Sequence, residues 1–199
     1  IPVIKHYDGN CFIFVDRSAD QAQAVRIIDN AKTQRPGVCN ALETLLVHRA
    51  IASEFLSTLA PVLMEKKVEI RGDSEVCCLV PQALPAEERD WNTEYLDLIL
   101  AVRTVNGLEE AIRFINEHGS HHTDAILTKD HDNAMKFLTG VDSACVFVNC
   151  STRFSDGGQF GMGCEIGIST DKLHARGPMG LKELTTSKFI VFGEGQIRT

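Results

Sequence analysis

Between an amphipathic stretch and an apolar β run, the chain sets one cysteine in a bend: Lys32-Thr33-Gln34-Arg35-Pro36-Gly37-Val38-Cys39-Asn40-Ala41-Leu42-Glu43-Thr44. A thiol in that position lies at the end of a sheet, where a substrate can reach it. Backbone N–H groups and two cations, Lys32 and Arg35, are close in sequence, and both favour the thiolate that does nucleophilic chemistry. The same residues also suit a buried structural cysteine, because free Cys commonly packs inside. The spacing alone leaves both readings open.

The remaining thiols and imidazoles read as packing residues. Cys77 and Cys78 fall on a short helix, and Cys145 and Cys150 flank a strand. With His118, His121 or His122 they lack the ligand spacing of a zinc site, so no metal is expected.

Around these residues the chain has room for a core. It has 199 residues, 44% of them hydrophobic, which suits one domain with an extension. A net charge of −7, few aromatics and no Lys/Arg cluster argue against nucleic acid and anionic membranes as partners. No apolar run approaches the roughly 20 residues of a membrane helix, and no signal peptide is visible. Seven cysteines at irregular spacing imply reduced thiols and a cytoplasmic protein rather than a disulfide framework.

The elements that must position Cys39 follow from periodicity. Phe12–Val15 reads as a strand. Ser18 with Gln21 makes a capping box, and Ala24, Ile27, Ile28 and Ala31 recur at helical spacing until Pro36-Gly37. Leu45–Val47 is the next strand, followed by a helix whose face is Ala52, Phe55, Leu56, Leu59, Ala60 and Leu63. Val68–Ile70, Leu98–Val102, Ala125–Leu127 and Cys145–Val148 read as further strands. A short helix and a loop occupy 73–97, Asn106 with Glu109 caps one later helix, and Asp130 opens another that ends near Gly140. Short apolar strands alternating with helices indicate a parallel α/β sheet covered on both faces. Residues 150–187 are glycine-rich and aperiodic, as functional loops are. Phe189-Ile190-Val191-Phe192 closes the chain as an isolated β run.

Four blocks carry a resemblance: the Cys39 segment; Ala144–Asn149 continuing through Ser151–Gly161; His174–Leu181 with Thr185–Lys188; and Ala111–Ile115 with His118–Asp124. Together they resemble the γ-glutamyl phosphate reductases, a divergent branch of the aldehyde dehydrogenase superfamily. The resemblance implies a three-layer catalytic domain of the aldehyde dehydrogenase type over residues 1–150. Residues 151–199 would then form a Gly-rich active-site loop and a terminal strand for homo-oligomerisation. Family members carry a nucleotide-binding domain ahead of the point where Ile1 falls. No G-x-G-x-x-G after a strand and no P-loop appears here, so NADPH would be bound mainly by that preceding domain.

The chemistry so implied is reduction of glutamyl-5-phosphate to glutamate-5-semialdehyde through a thioester on Cys39. Asn40 would support the bend or be an ordinary turn residue. Arg is the forked partner of carboxylate or phosphate, so Arg153 and then Arg176 are the substrate-binding candidates, against the alternative that they tie loops. Phe154 resembles the apolar wall beside the thiol in relatives, and a core Phe is the alternative. His174 falls in a block and reads as a solvent or packing residue. Relatives that hydrolyse their acyl-enzyme use a Glu just before the first strand. The matching stretch, Val3–Gly9, has none, which fits resolution by phosphate or hydride rather than water. A CoA-acylating aldehyde dehydrogenase, the reductase half of a bifunctional kinase–reductase, and an inactive binding module remain alternatives.

Overall fold

The computed structural model describes Lys5 and residues 7–199. The chain runs β1 (Cys11–Val15), α1 (Gln21–Thr33), β2 (Leu42–His48), α2 (Arg49–Glu65), β3 (Glu69–Gly72), α3 (Ser74–Leu79) and β4 (Leu84–Pro85). After a 3₁₀ turn over Glu88–Asn92 come β5 (Ile99–Val105), α4 (Leu108–His118), β6 (Thr123–Leu127), α5 (His131–Gly140) and β7 (Cys145–Val148). These seven strands form one parallel sheet in the order β4-β3-β5-β2-β1-β6-β7.

The centre of the sheet is buried on both faces, as a doubly covered parallel sheet requires. On one face Ile13, Leu45 and Val102 pack with Ala24 and Ile28 of α1, Phe55 and Leu59 of α2, and Val76 of α3. On the other, Phe12, Phe14, Leu46 and Ile126 meet Leu108 and Phe114 of α4, Phe137 of α5, and Trp91. The three layers expected from the sequence are present.

Two caps differ from expectation. Asp20, not Ser18, caps α1 by accepting the Gln23 N–H at 3.1 Å. Ser18 is drawn instead into bonds with Asp16 and Thr128 at the ends of β1 and β6. At α4 the N-cap is Gly107, and Asn106 donates to Glu110 rather than to Glu109.

Past β7 the chain makes a 3₁₀ turn (Thr152–Phe154) and a small antiparallel pair, β8 (Gly167–Ser169) with β9 (Gly177–Met179). The expected terminal strand does not form within the chain. Phe189, Val191 and Phe192 are at least 86% exposed, since no strand edge of this sheet lies beside them to supply hydrogen bonds or an apolar face.

Asp124 on β6 is fully buried, accepting the Phe12 N–H at 2.8 Å and the Ser143 hydroxyl. Its carboxylate serves the start of β1, where the β1–β2 register shifts between Cys11 and Phe12. Burial pushes this carboxyl up to about 7 from an ordinary 3.8. Between those values the unfolded chain has released a proton that the folded chain keeps. The group's contribution is therefore complete below the unfolded value and lost as pH rises through the folded one. Asp124→Asn keeps both bonds without the titration. Urea midpoints measured from pH 4 to pH 8 should move in the variant's favour relative to wild type, and parallel profiles would refute this.

Candidate functional site

Cys39 lies between the end of α1 and the start of β2, so it sits at the amino end of the sheet. The helix closes with Gln34 N–H bonded to Asn30 at 3.2 Å, and a turn from Val38 to Ala41 at 2.9 Å aims the chain into β2. Gly9 makes this geometry possible. A Cβ at position 9 would fall 1.9 Å from the Cys39 carbonyl oxygen, so only glycine lets the two backbones approach. That same carbonyl accepts from the Cys11 thiol at 3.2 Å. Of the stretch expected to lack a Glu, only Lys5, Tyr7, Asp8 and Gly9 are among the described residues.

The Gly-rich segment after β7 returns to this end. Asn40, buried, donates to the Ser155 carbonyl at 2.8 Å, and Ser155 accepts from Thr123 at the start of β6. Asn40 Oδ1 accepts from the Arg153 guanidinium, whose Nε donates to Gln34 at 2.8 Å. The clasp between bend and returning segment brings Arg153 to the thiol. Cys39 thus opens onto a cavity of about 420 Å³ that also exposes Arg35, Arg153, Glu94, Asp156 and Glu165.

Two of the residues singled out from sequence lie elsewhere. Phe154, half exposed, lines neighbouring cavities with Asn30 and Gln34 on one side and Arg26 and Cys150 on the other, and does not line the Cys39 cavity. Arg176 donates to the carboxylate and carbonyl of Asp142 at 2.9 and 3.2 Å, with Lys172 on the same carboxylate. These two cations hold Asp142 down at about 2. Arg176 therefore fastens the β8–β9 loop to the α5–β7 turn, the loop-tying role weighed against substrate binding. His174 bonds the Glu183 carbonyl, and His121 the Asp142 carbonyl. Among the described residues no three His, Cys, Asp or Glu side chains converge as metal ligands.

The thiol itself is not activated in this form. Burial pushes Cys39 up to about 11, and the nearby Glu165 and Glu94 carboxylates push the same way; its own backbone N–H and Arg153 pull only weakly against them. Lys32, expected to favour the thiolate, is turned away. Its ammonium is fully buried against the Glu43 carboxylate at 2.6 Å, where burial opposes the charge on both partners. Arg35 does line the cavity, but it is exposed and screened. Glu94, Asp156, Glu165 and Gly9 were not singled out from sequence. For Asp156 and Glu165 the one prior signal was a carboxylate inside a glycine-rich stretch, which does not distinguish a site from a solvated loop; Glu94 and Gly9 carried no such signal.

The sequence profile of the aldehyde dehydrogenase family matches residues 78–190, and the chain belongs to that family. Members of the family bind NAD(P). The chain is 60% identical over 198 residues to the γ-glutamyl phosphate reductase of Geobacter metallireducens, covering all of this chain and 47% of that protein. The counterpart from Dictyoglomus thermophilum is 58% identical, with 48% of it covered. The crystal structure of the γ-glutamyl phosphate reductase from Thermotoga maritima superposes with a TM-score of 0.95 at 54% identity, over all of this chain and 48% of that one. An acetylating aldehyde dehydrogenase from Geobacillus thermoglucosidasius shares the fold at 19% identity and a TM-score of 0.74, over 96% and 52% of the two chains. The chain spans about half the length of the curated relatives it matches.

Two measurements test the site as built. Because the Cys39 thiol is held protonated, its alkylation by iodoacetamide should climb about tenfold per pH unit well past pH 9. At pH 7.5 the exposed Cys78 and Cys164 should label before it. Peptide mass mapping that found Cys39 modified first would show the cavity to be more cationic than described. Second, Gly9→Ala must displace the Cys39 backbone. It should lower turnover at least about tenfold, since small misplacements of a reacting group cost that much or more, and unchanged kinetics would refute the contact.

Proposed function

We propose that the protein reduces L-glutamyl-5-phosphate to L-glutamate-5-semialdehyde with NADPH, releasing phosphate, as a cytoplasmic oxidoreductase of proline biosynthesis. The observation that carries this reading is the mixed charge around one half-buried thiol. Arg35, Arg153, Glu94, Asp156 and Glu165 all line the cavity that holds Cys39. A zwitterionic acyl phosphate needs both: forked cations for its carboxylate and phosphate, and carboxylates for its ammonium. The relatives at 54–60% identity carry the name of that reductase, which supports the same substrate class.

In this reading the Cys39 proton leaves first. Glu165 acts most strongly of the side chains on the thiol, and it is exposed, so it can pass the proton to solvent. The sulfur then bonds the acyl carbon as the carbon–oxygen bond to phosphate breaks, giving a thioester and free phosphate. When bound, NADPH would supply the hydride that reduces the thioester, and Cys39 would leave as the thiolate as its carbon–sulfur bond breaks, freeing the aldehyde. Splitting one displacement into two is the gain of covalent catalysis. The Cys39 backbone N–H is the oxyanion donor available from this chain, and Asn40 and Arg153 hold the bend that presents it.

In this reading the reactive end of the cofactor would lie in the same cavity, where Glu94 could accept from a sugar hydroxyl. Among the described residues no Gly-rich turn between a strand and a helix cradles a pyrophosphate, so we assign that binding mainly to residues outside these 199. The exposed run 189–192 is the segment we assign to pairing with a second copy in a homo-oligomer.

Assays of the full-length protein with glutamyl phosphate and with an acyl-CoA should give NADPH oxidation and phosphate release from the first alone. Arg153→Lys should then lower kcat/KM about 10- to 100-fold while the melting temperature stays within a few degrees. Lys cannot supply the fork, and charge-assisted hydrogen bonds are worth roughly 1.5–3 kcal/mol. Wild-type kinetics in that variant would remove Arg153 from the mechanism.

A further inference from the structure

The buried pair beside the bend has more contacts than an ion pair needs. Glu43 Oε2 takes the Lys32 ammonium at 2.6 Å, and Glu43 Oε1 accepts the backbone N–H of Leu96 at 3.3 Å. Leu96 holds a left-handed φ of 56°, a strained conformation for a leucine. It belongs to a strap, residues 93–98, held at its ends by Thr93, which donates to the Arg89 carbonyl at 2.6 Å, and by the Leu98 carbonyl, which accepts from Glu69 N–H at 2.8 Å; between them Tyr95 donates to Asp90 at 2.8 Å and lies under the Arg71 guanidinium. Leu96 and Glu94 both line the Cys39 cavity, and a Cβ on Gly37 of the bend would lie 3.6 Å from the Leu96 carbonyl. Lys32, in the last turn of α1, leads directly into that bend.

We propose that Glu43 is a positioning residue: through one carboxylate it fixes the strap to the root of the nucleophile bend, setting Glu94 and Leu96 against Cys39. The role of the thiol as nucleophile rests on the reading above; the brace itself does not. Stability alone gives poor reason for the pair, because well-packed apolar residues of similar volume commonly replace a buried ion pair without loss. What an apolar replacement cannot do is accept the Leu96 N–H. Without that acceptor the left-handed turn at Leu96, itself half exposed, loses its tie to the root of the bend and relaxes away from the thiol.

Two double variants of the full-length protein separate the brace from the charge. Lys32→Met with Glu43→Gln removes both charges and keeps a carbonyl for Leu96, whereas Lys32→Met with Glu43→Met removes that acceptor as well. The Met/Met protein should lose about tenfold or more in kcat with KM within about threefold, the pattern of misplaced groups. The Met/Gln protein should recover most of that loss at a similar melting temperature. Equal impairment of both variants, or wild-type kcat in Met/Met, would overturn the proposal. Should neither fold, hydrogen exchange at the Leu96 amide of the unaltered protein decides: protection well above a free loop is expected, and exchange at the unprotected rate refutes the brace. A wild-type protein inactive on acyl phosphate would sink the substrate reading alone. The exchange measurement, and the rates of Cys39 alkylation in the two variants, would still judge Glu43.

Discussion

The buried Asn40 side chain joins the two halves of the candidate site, with Arg153 on Gln34 as a second tie. Its amide donates to Ser155 and its carbonyl accepts from Arg153, so the segment after β7 is bound to the bend before β2. The clasp works with the Thr123–Ser155 bond and the Arg176–Asp142 pair to hold the glycine-rich stretch at this end of the sheet. With it, Arg153, Asp156 and Glu165 reach a thiol more than 110 residues away in sequence. The clasp in turn needs the bend to stand where Gly9 allows it, with the Cys39 carbonyl against the chain entering β1. One close backbone approach and one buried amide therefore shape the cavity, and the seven-stranded sheet is the frame that holds their ends apart.

The electrostatics at that cavity are balanced rather than strongly cationic. Desolvation dominates, holding the thiol protonated with Glu165 and Glu94 adding to it. Such a thiol is quiet toward stray electrophiles, and in the proposed reaction its proton would have to be drawn off once the substrate is in place. Members of the family bind NAD(P). Excluding water would strengthen every charge interaction around the sulfur, so the resting value of the thiol is a property of the open cavity.

The buried Lys32–Glu43 pair shows how a charge can be close in sequence and yet act elsewhere. Lys32 is seven residues before Cys39, near enough to suggest activation of the thiol. The helix turns it inward, to the apolar layer where Ile28 and Ala31 pack. There an unpaired ammonium would be costly, so it pairs with Glu43, and the carboxylate's second oxygen becomes available to the strap.

The local grammar of the chain determined the elements. Alternation of short apolar runs with helical faces gave six strands and four long helices close to where they stand, because a strand buried on both faces must be apolar throughout and a covering helix must be apolar on one side. The Cys39 bend was legible from local sequence as well, since a helix running into Pro36-Gly37 cannot continue through them. Tertiary structure decided the rest. Strand order and the clasp at Ser155 put the site at the amino ends of the strands, a result of contacts between residues far apart in sequence. Those contacts sent Arg176 to Asp142, Phe154 to the α1 side and Lys32 to Glu43, and gathered Glu94, Asp156 and Glu165 around the thiol. Ser18 lost its cap role to Asp20 because β6 offered it Thr128, and the run 189–192 found no edge to join. In each case the residue type was compatible with two partners, and only the folded chain brought one of them within bonding distance.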